Sequence, residues 1–157
     1  MVWTIFSPCV LRSLRSFVVN LRDLRNLRDL LRYDRRMILA AVDDLLFSSK
    51  IRTTARQAGV DLTFARTPPE ILDQARTLRP ALVIFDLNST KANPIETIAA
   101  LKRDASLSSI PTLGFVSHVH TALIDAARGA GVDQVMARSA FAANLAEILL
   151  AASPSKS

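Results

Sequence analysis

The chain has one cysteine, four glycines and no long apolar run, and each scarcity removes a class of protein. A lone Cys9 can build neither an internal disulfide framework nor a cysteine-rich zinc site, and it suits a reducing compartment such as the cytoplasm. No apolar run approaches the roughly 20 residues that a helix needs to span a bilayer. No basic n-region precedes the short apolar stretch near the N-terminus, so a secretory signal is not expected. With so little glycine there is no G-x-G-x-x-G after the first apolar run of the globular part and no Walker-type loop, which argues against a nucleotide-binding domain or a small α/β enzyme built around one. Histidine is scarce too. His118 and His120 form an isolated His-x-His that reads as polar residues at a helix entrance rather than as a transition-metal site.

The net charge of +6 suggests a nucleic-acid partner until it is divided along the chain. Residues 1–36 hold eight Arg against three Asp, whereas residues 37–157 hold twelve Lys and Arg against eleven Asp and Glu. The basic character therefore belongs to the N-terminal segment alone, and no nucleic-acid partner is expected for the remainder. From Leu21 that segment repeats Leu-Arg-Asp and Leu-Arg-Asn. On a helix its arginines form a stripe beside Leu24, Leu27, Leu30 and Leu31, but Asp23 and Asp34 fall on the apolar face. A basic helix on a membrane or partner, a nucleic-acid-binding arm, and an extension under no selection all remain open. The last is favoured, because the repeat has low complexity and Met37 stands at the first residue of the first expected strand.

From Met37 onward short apolar runs alternate with amphipathic stretches. Half of all residues are hydrophobic, enough for a sizeable core in a chain of 157 residues. Strands are expected at 37–42, 60–65, 81–86, 112–117 and 133–138, and helices at 45–58, 69–78, 94–104, 120–130 and 140–152. Gly59 reads as a helix stop, and Pro68-Pro69 and Asn93-Pro94 as helix starts. Five strands alternating with five helices imply right-handed βαβ crossovers and a parallel sheet covered on both faces. The organisation is then a basic extension over 1–36, one domain over 37–152, and a tail over 153–157.

Three of the apolar runs end in chemistry-bearing residues. Met37–Val42 runs into Asp43-Asp44, Ala81–Phe85 into Asp86, and Thr112–Val116 into Ser117. In a parallel sheet these gather at the carboxyl edge, where open α/β sheets bind ligands. Carboxylates that close repel one another unless a cation sits among them, and an all-oxygen donor set suits Mg²⁺. Each residue also has an ordinary structural use: Asp43 or Asp44 as a helix cap, Asp86 as a strand end, Ser117 as a cap or loop hydroxyl, Arg138 as a surface ion-pair partner.

With this order of acidic pair, Asp, Ser and then a basic residue, residues 37–152 resemble a response-regulator receiver domain of the single-domain, chemotaxis-regulator type. The resemblance implies a flavodoxin-like, doubly wound five-stranded parallel sheet in the order 2-1-3-4-5. It implies that Asp86 accepts a phosphoryl group, that Asp43, Asp44 and Asp86 hold Mg²⁺ with the backbone carbonyl of Asn88, and that Ser117 and Arg138 attend the phosphoryl group. Asp44 is the expected direct ligand of the acidic pair. The implied role is a stand-alone receiver in two-component signal transduction, more a signalling protein than an enzyme. A sensor histidine kinase or phosphotransfer protein would stand upstream and an unnamed protein downstream, and a homodimer is compatible. The sequence departs from the pattern at Arg138-Ser139, where Lys and usually Pro are expected, and at Val135, where a switching aromatic is common. His118 replaces the small residue usual after Ser117, and the loop after Asp86 lacks a glycine. These departures favour the alternative of a pseudo-receiver, an interaction module that works without phosphorylation.

Overall fold

The computed structural model describes residues 37–117 and 120–152. The expectations for the basic segment 1–36, for His118 and for the tail 153–157 lie outside the described residues.

The periodicity of the apolar residues sets up two faces. Leu39 and Ala41 in β1 (Ile38–Ala41) enter one buried cluster, while Ile38 and Ala40 enter the other. The same alternation holds in β3 (Leu82–Asp86), with Val83 and Phe85 on the first side and Leu82 and Ile84 on the second. Both strands are buried throughout, as expected of central parallel strands covered on both sides. The ladder is entirely parallel and runs β2–β1–β3–β4–β5, with β2 at Leu62–Phe64, β4 at Thr112–Val116 and β5 at Gln134–Ala137. This is the order that the resemblance implies.

The first cluster is covered by α2 (Pro68–Leu78), α3 (Pro94–Arg103) and α4 (Thr121–Gly129), which contribute Ile71, Ala75, Ile98, Leu101 and Ala127. The second is covered by α1 (Leu45–Ala58) and by α5 (Arg138–Ala143) and α6 (Leu145–Ala152), through Phe47, Ile51, Ala55, Phe141, Leu145 and Leu149. Phe47, Phe115 and Phe141 form an aromatic column on that side, with Phe115 and Phe141 stacked at 4.7 Å and Phe47 tilted against Phe115 at 5.0 Å. Burying each such ring stabilises the fold by about 1.5–3 kcal/mol.

Three expected boundaries are corrected. Strand two is shorter than 60–65, because the Val60 N–H donates to Ala55 O (2.9 Å) and closes the end of α1 around left-handed Gly59 (φ 68°). Strand five is shorter than 133–138. At its start the Asp133 carboxylate accepts from the Thr112 N–H and hydroxyl and from Lys102 Nζ. At its end Arg138 already opens α5. The single helix expected over 140–152 is two, broken at Asn144 (φ −101°), where the backbone and side-chain amides both donate to Ala140 O. Short amide side chains compete with the helical backbone in this way.

Candidate functional site at the carboxyl edge

Because every strand runs the same way, the residue that follows each one emerges at the same edge. Asp43 and Asp44 link β1 to α1, Asp86 ends β3, Asn88 lies in the loop beyond it, Ser117 follows β4, and Arg138 follows β5. The ladder carries the phasing. Val116 pairs with Ala137, so Ser117 and Arg138 are the next residues on adjacent strands, and Arg138 Nη1 lies 3.4 Å from the Ser117 hydroxyl.

Asp86 is 5% exposed. Its Oδ1 accepts the Asn88 N–H at 3.0 Å. Burial holds its carboxyl above the ordinary aspartate range; the Asn88 N–H and the Arg138 charge oppose that rise, and Asp43 and Asp44 add to it. The Asn88 side chain turns the other way, its Oδ1 accepting the Ser117 N–H at 2.8 Å, so that one residue fixes both Asp86 and Ser117.

Asp44 is the N-cap of α1. Its Oδ1 accepts the N–H groups of Leu46 (2.9 Å) and Phe47 (3.0 Å), and its Oδ2 forms an ion pair with Arg138 Nη2. The Arg138 hydrogen bond, followed by that from the Phe47 N–H, lowers the Asp44 pKa below its usual value. The Arg138 guanidinium also lies 4.2 Å above the Phe47 ring centre, a cation–π contact that fixes its height over the aromatic column. Asp43 takes a hydrogen bond from the Ser89 hydroxyl on Oδ2, while its Oδ1 is buried with no hydrogen-bond partner among the described residues. Ser89 Oγ in turn accepts the Ala92 N–H at 3.0 Å, which anchors the loop after β3.

The donor chemistry fits a hard divalent cation. The oxygens are carboxylates, and the orphaned Asp43 Oδ1 is an acceptor that only a donor or a cation would satisfy. Among the described residues, no three His, Cys, Asp or Glu side chains converge as a ready-made metal cluster, and Asp44 faces Arg138 instead. Two contributors were not singled out from the sequence. Ser89 carried only the weak signal of a hydroxyl in a loop after an acidic strand end. Phe47 carried only the signal of an apolar residue three positions after a capping Asp.

No protein-family profile matches the sequence, and no curated protein matches it. Solved structures do match in fold. A response regulator from Hahella chejuensis superposes with a TM-score of 0.67 at 18% identity, over 74% of this chain and 94% of that one. The chemotaxis response regulator CheY4 of Vibrio cholerae gives 0.64 at 18% identity, over 74% and 97%. The response regulator Rcp1 in its Mn²⁺-bound form gives 0.60 at 17% identity, over 72% and 91%. The fold is therefore the CheY-like, flavodoxin-like fold of response-regulator receiver domains.

Proposed function

We propose that the domain is a phosphoryl-accepting receiver of two-component signalling in the cytoplasm, with Asp86 as the acceptor. The observation that carries this reading is the placement of Asp86: buried at the carboxyl end of the central strand, one oxygen fixed by the Asn88 N–H, with Asp43, Asp44 and Arg138 all close enough to bias its charge. The fold shared with receivers supports it. The Mn²⁺-bound form of Rcp1, a protein of the same fold, supports a divalent ion.

In this reading a phosphohistidine on a sensor kinase or phosphotransfer protein presents its phosphorus to an Asp86 carboxylate oxygen. An O–P bond forms, the N–P bond breaks, and the imidazole leaves with the electron pair. When bound by Asp43, Asp44, Asp86 and the Asn88 carbonyl, Mg²⁺ supplies the charge that offsets the carboxylates and the phosphoryl oxygens. The Asn88 N–H orients Asp86 before attack. The Ser117 hydroxyl and the Arg138 guanidinium, already side by side, are the donors available to the new phosphoryl oxygens. Drawing them inward moves the loop after β4 and the start of α5, which alters the surface offered to a downstream protein or to a second copy of the chain. No role in nucleic-acid binding is assigned to residues 37–152. Among the described residues no helix is long and apolar enough to cross a membrane.

The test is intact-protein mass after incubation with Mg²⁺ and a small phosphodonor. A gain of one phosphoryl group in the wild type, absent in Asp86→Ala, is the expected result. A second reading, the phosphorylation-independent pseudo-receiver, is favoured by the Arg138–Asp44 ion pair, which occupies a carboxylate of the acidic pair. It is the conclusion if no gain occurs with either a small donor or a histidine kinase while the fold is intact.

A further inference from the structure

The acidic edge already contains a cation, and it is covalently part of the chain. Arg138 Nη2 pairs with Asp44 Oδ2, Nη1 reaches Ser117 Oγ at 3.4 Å, and the plane rests on Phe47 at 4.2 Å. The three contacts come from the β1–α1 junction, from the loop after β4 and from the aromatic column, so the guanidinium is held from three directions rather than adrift at the surface. Its side chain is 31% exposed and that of Asp44 33% exposed, so the pair is partly withdrawn from water. The other Asp44 oxygen is committed to the Leu46 and Phe47 N–H groups. Both Asp44 oxygens are thus engaged while Arg138 stays in place. Asp43 is the opposite case, with its buried Oδ1 unpartnered among the described residues.

We infer that Arg138 is an internal counter-ion that competes with the divalent cation for Asp44, so that metal enters through Asp43 and must displace the guanidinium to complete its shell. This rests on the reading that the edge takes Mg²⁺. A planar fork that pairs with a carboxylate, reaches a hydroxyl and stacks on a ring suits this role better than a lysine, whose compact ammonium cannot make all three contacts together. Arg138 acts as a positioning residue in the unphosphorylated protein. Its release on metal binding also frees Ser117 and uncovers Phe47, which couples metal occupancy to the start of α5 before any phosphoryl group arrives.

Mn²⁺ is the probe for the first arm of the test, with free metal read by electron paramagnetic resonance. Arg138→Met removes the charge and keeps the length, and Arg138→Gln stands in if the methionine variant is unfolded by circular dichroism. The expected result is Mn²⁺ binding about five-fold tighter than in the wild type, the scale set by breaking a partly exposed ion pair. In the second arm, the wild-type Arg138 Nε–Hε resonance is followed by NMR during a Mg²⁺ titration. It is expected to shift with the same midpoint as the Leu46 amide. Unchanged Mn²⁺ affinity in the variants, absence of binding in all proteins, or an Arg138 resonance that ignores Mg²⁺ would each overturn the inference. Neither readout requires phosphotransfer, so a failure of Asp86 to accept a phosphoryl group leaves this result standing.

Discussion

Asp44 and Arg138, 94 residues apart in sequence, are joined by an ion pair in which each partner has a second duty. Asp44 caps α1, and Arg138 covers Phe47 and reaches Ser117. The two duties of Asp44 are separable by mutation.

Asp44→Asn keeps an acceptor for the Leu46 and Phe47 N–H groups and loses the ion pair, whereas Asp44→Ala loses both. The expected cost at pH 7 is up to about 1 kcal/mol for the asparagine variant, since the pair is partly exposed. The alanine variant is expected to lose about 1 kcal/mol more for the missing cap. Urea denaturation measures both. Because the Asp44 pKa is lowered in the fold, the ion-pair contribution is complete above the ordinary aspartate value of 3.8 and disappears as pH falls through the lower folded value. The difference between wild type and Asp44→Asn should therefore close in acid.

Asp86 has the opposite sign. Burial raises its pKa, so between the ordinary value of 3.8 and the raised folded value the native state binds more protons than the unfolded chain, and stability falls as pH rises through that window. Above it the buried charge is a standing cost. Asp86→Asn, which can still accept the Asn88 N–H, is expected to stabilise the metal-free protein by about 1 kcal/mol at pH 7. The gain should vanish below pH 3.8. A melting series across pH checks both the size and the disappearance.

Ser89→Ala removes the hydroxyl that donates to Asp43 Oδ2, and among the described residues it leaves both oxygens of that carboxylate without a hydrogen-bond donor. In the presence of a chelator the variant should lose about 1–3 kcal/mol. Millimolar Mg²⁺ should recover part of the loss and raise the melting temperature of the variant more than that of the wild type. Equal Mg²⁺ responses in the two proteins would remove Asp43 from the proposed metal site.

Gly114 lies in β4 where an added Cβ would meet Leu87 Cδ1 and Cδ2 at 3.0 Å. Leu87 follows Asp86 and is fixed by its N–H to Phe115 O at 2.9 Å, so the contact sits directly beside the proposed acceptor. Gly114→Ala is expected to cost about 1–3 kcal/mol through overpacking. Adding Leu87→Ala should recover part of that cost, and a double-mutant cycle in urea detects the coupling.

The central part of the fold was legible because its strands are buried on both faces and read as unbroken apolar runs ending in Asp, Asp or Ser. Ile38–Ala41, Leu82–Asp86 and Thr112–Val116 fall within the expected ranges for that reason. The edges were less legible. Val60 and Asp133 have strand-compatible surroundings, yet their backbone or side-chain hydrogen bonds are spent on closing a helix and anchoring a strand start. Asn144 lies within an apolar helical pattern that conceals its competing amide. The residue types of the site could be read from the sequence, but their pairing could not. Nothing local indicates that Arg138 binds Asp44, or that Ser89 turns toward Asp43 across a separation of 46 residues.

The pairing of Val116 with Ala137 has a consequence for how this edge tolerates change. Ser117 and Arg138 meet because two paired strands end in step, not because the intervening segment has a particular length. The connection through α4 can therefore gain or lose residues at its turns with little effect on the meeting point. A single residue inserted within Thr112–Val116 or Gln134–Ala137 would shift the phase, turn every following side chain to the opposite face, and send one of the pair into the core. For recombination or domain grafting, the safe joints are the loops, and the strand ends must be transferred as matched pairs.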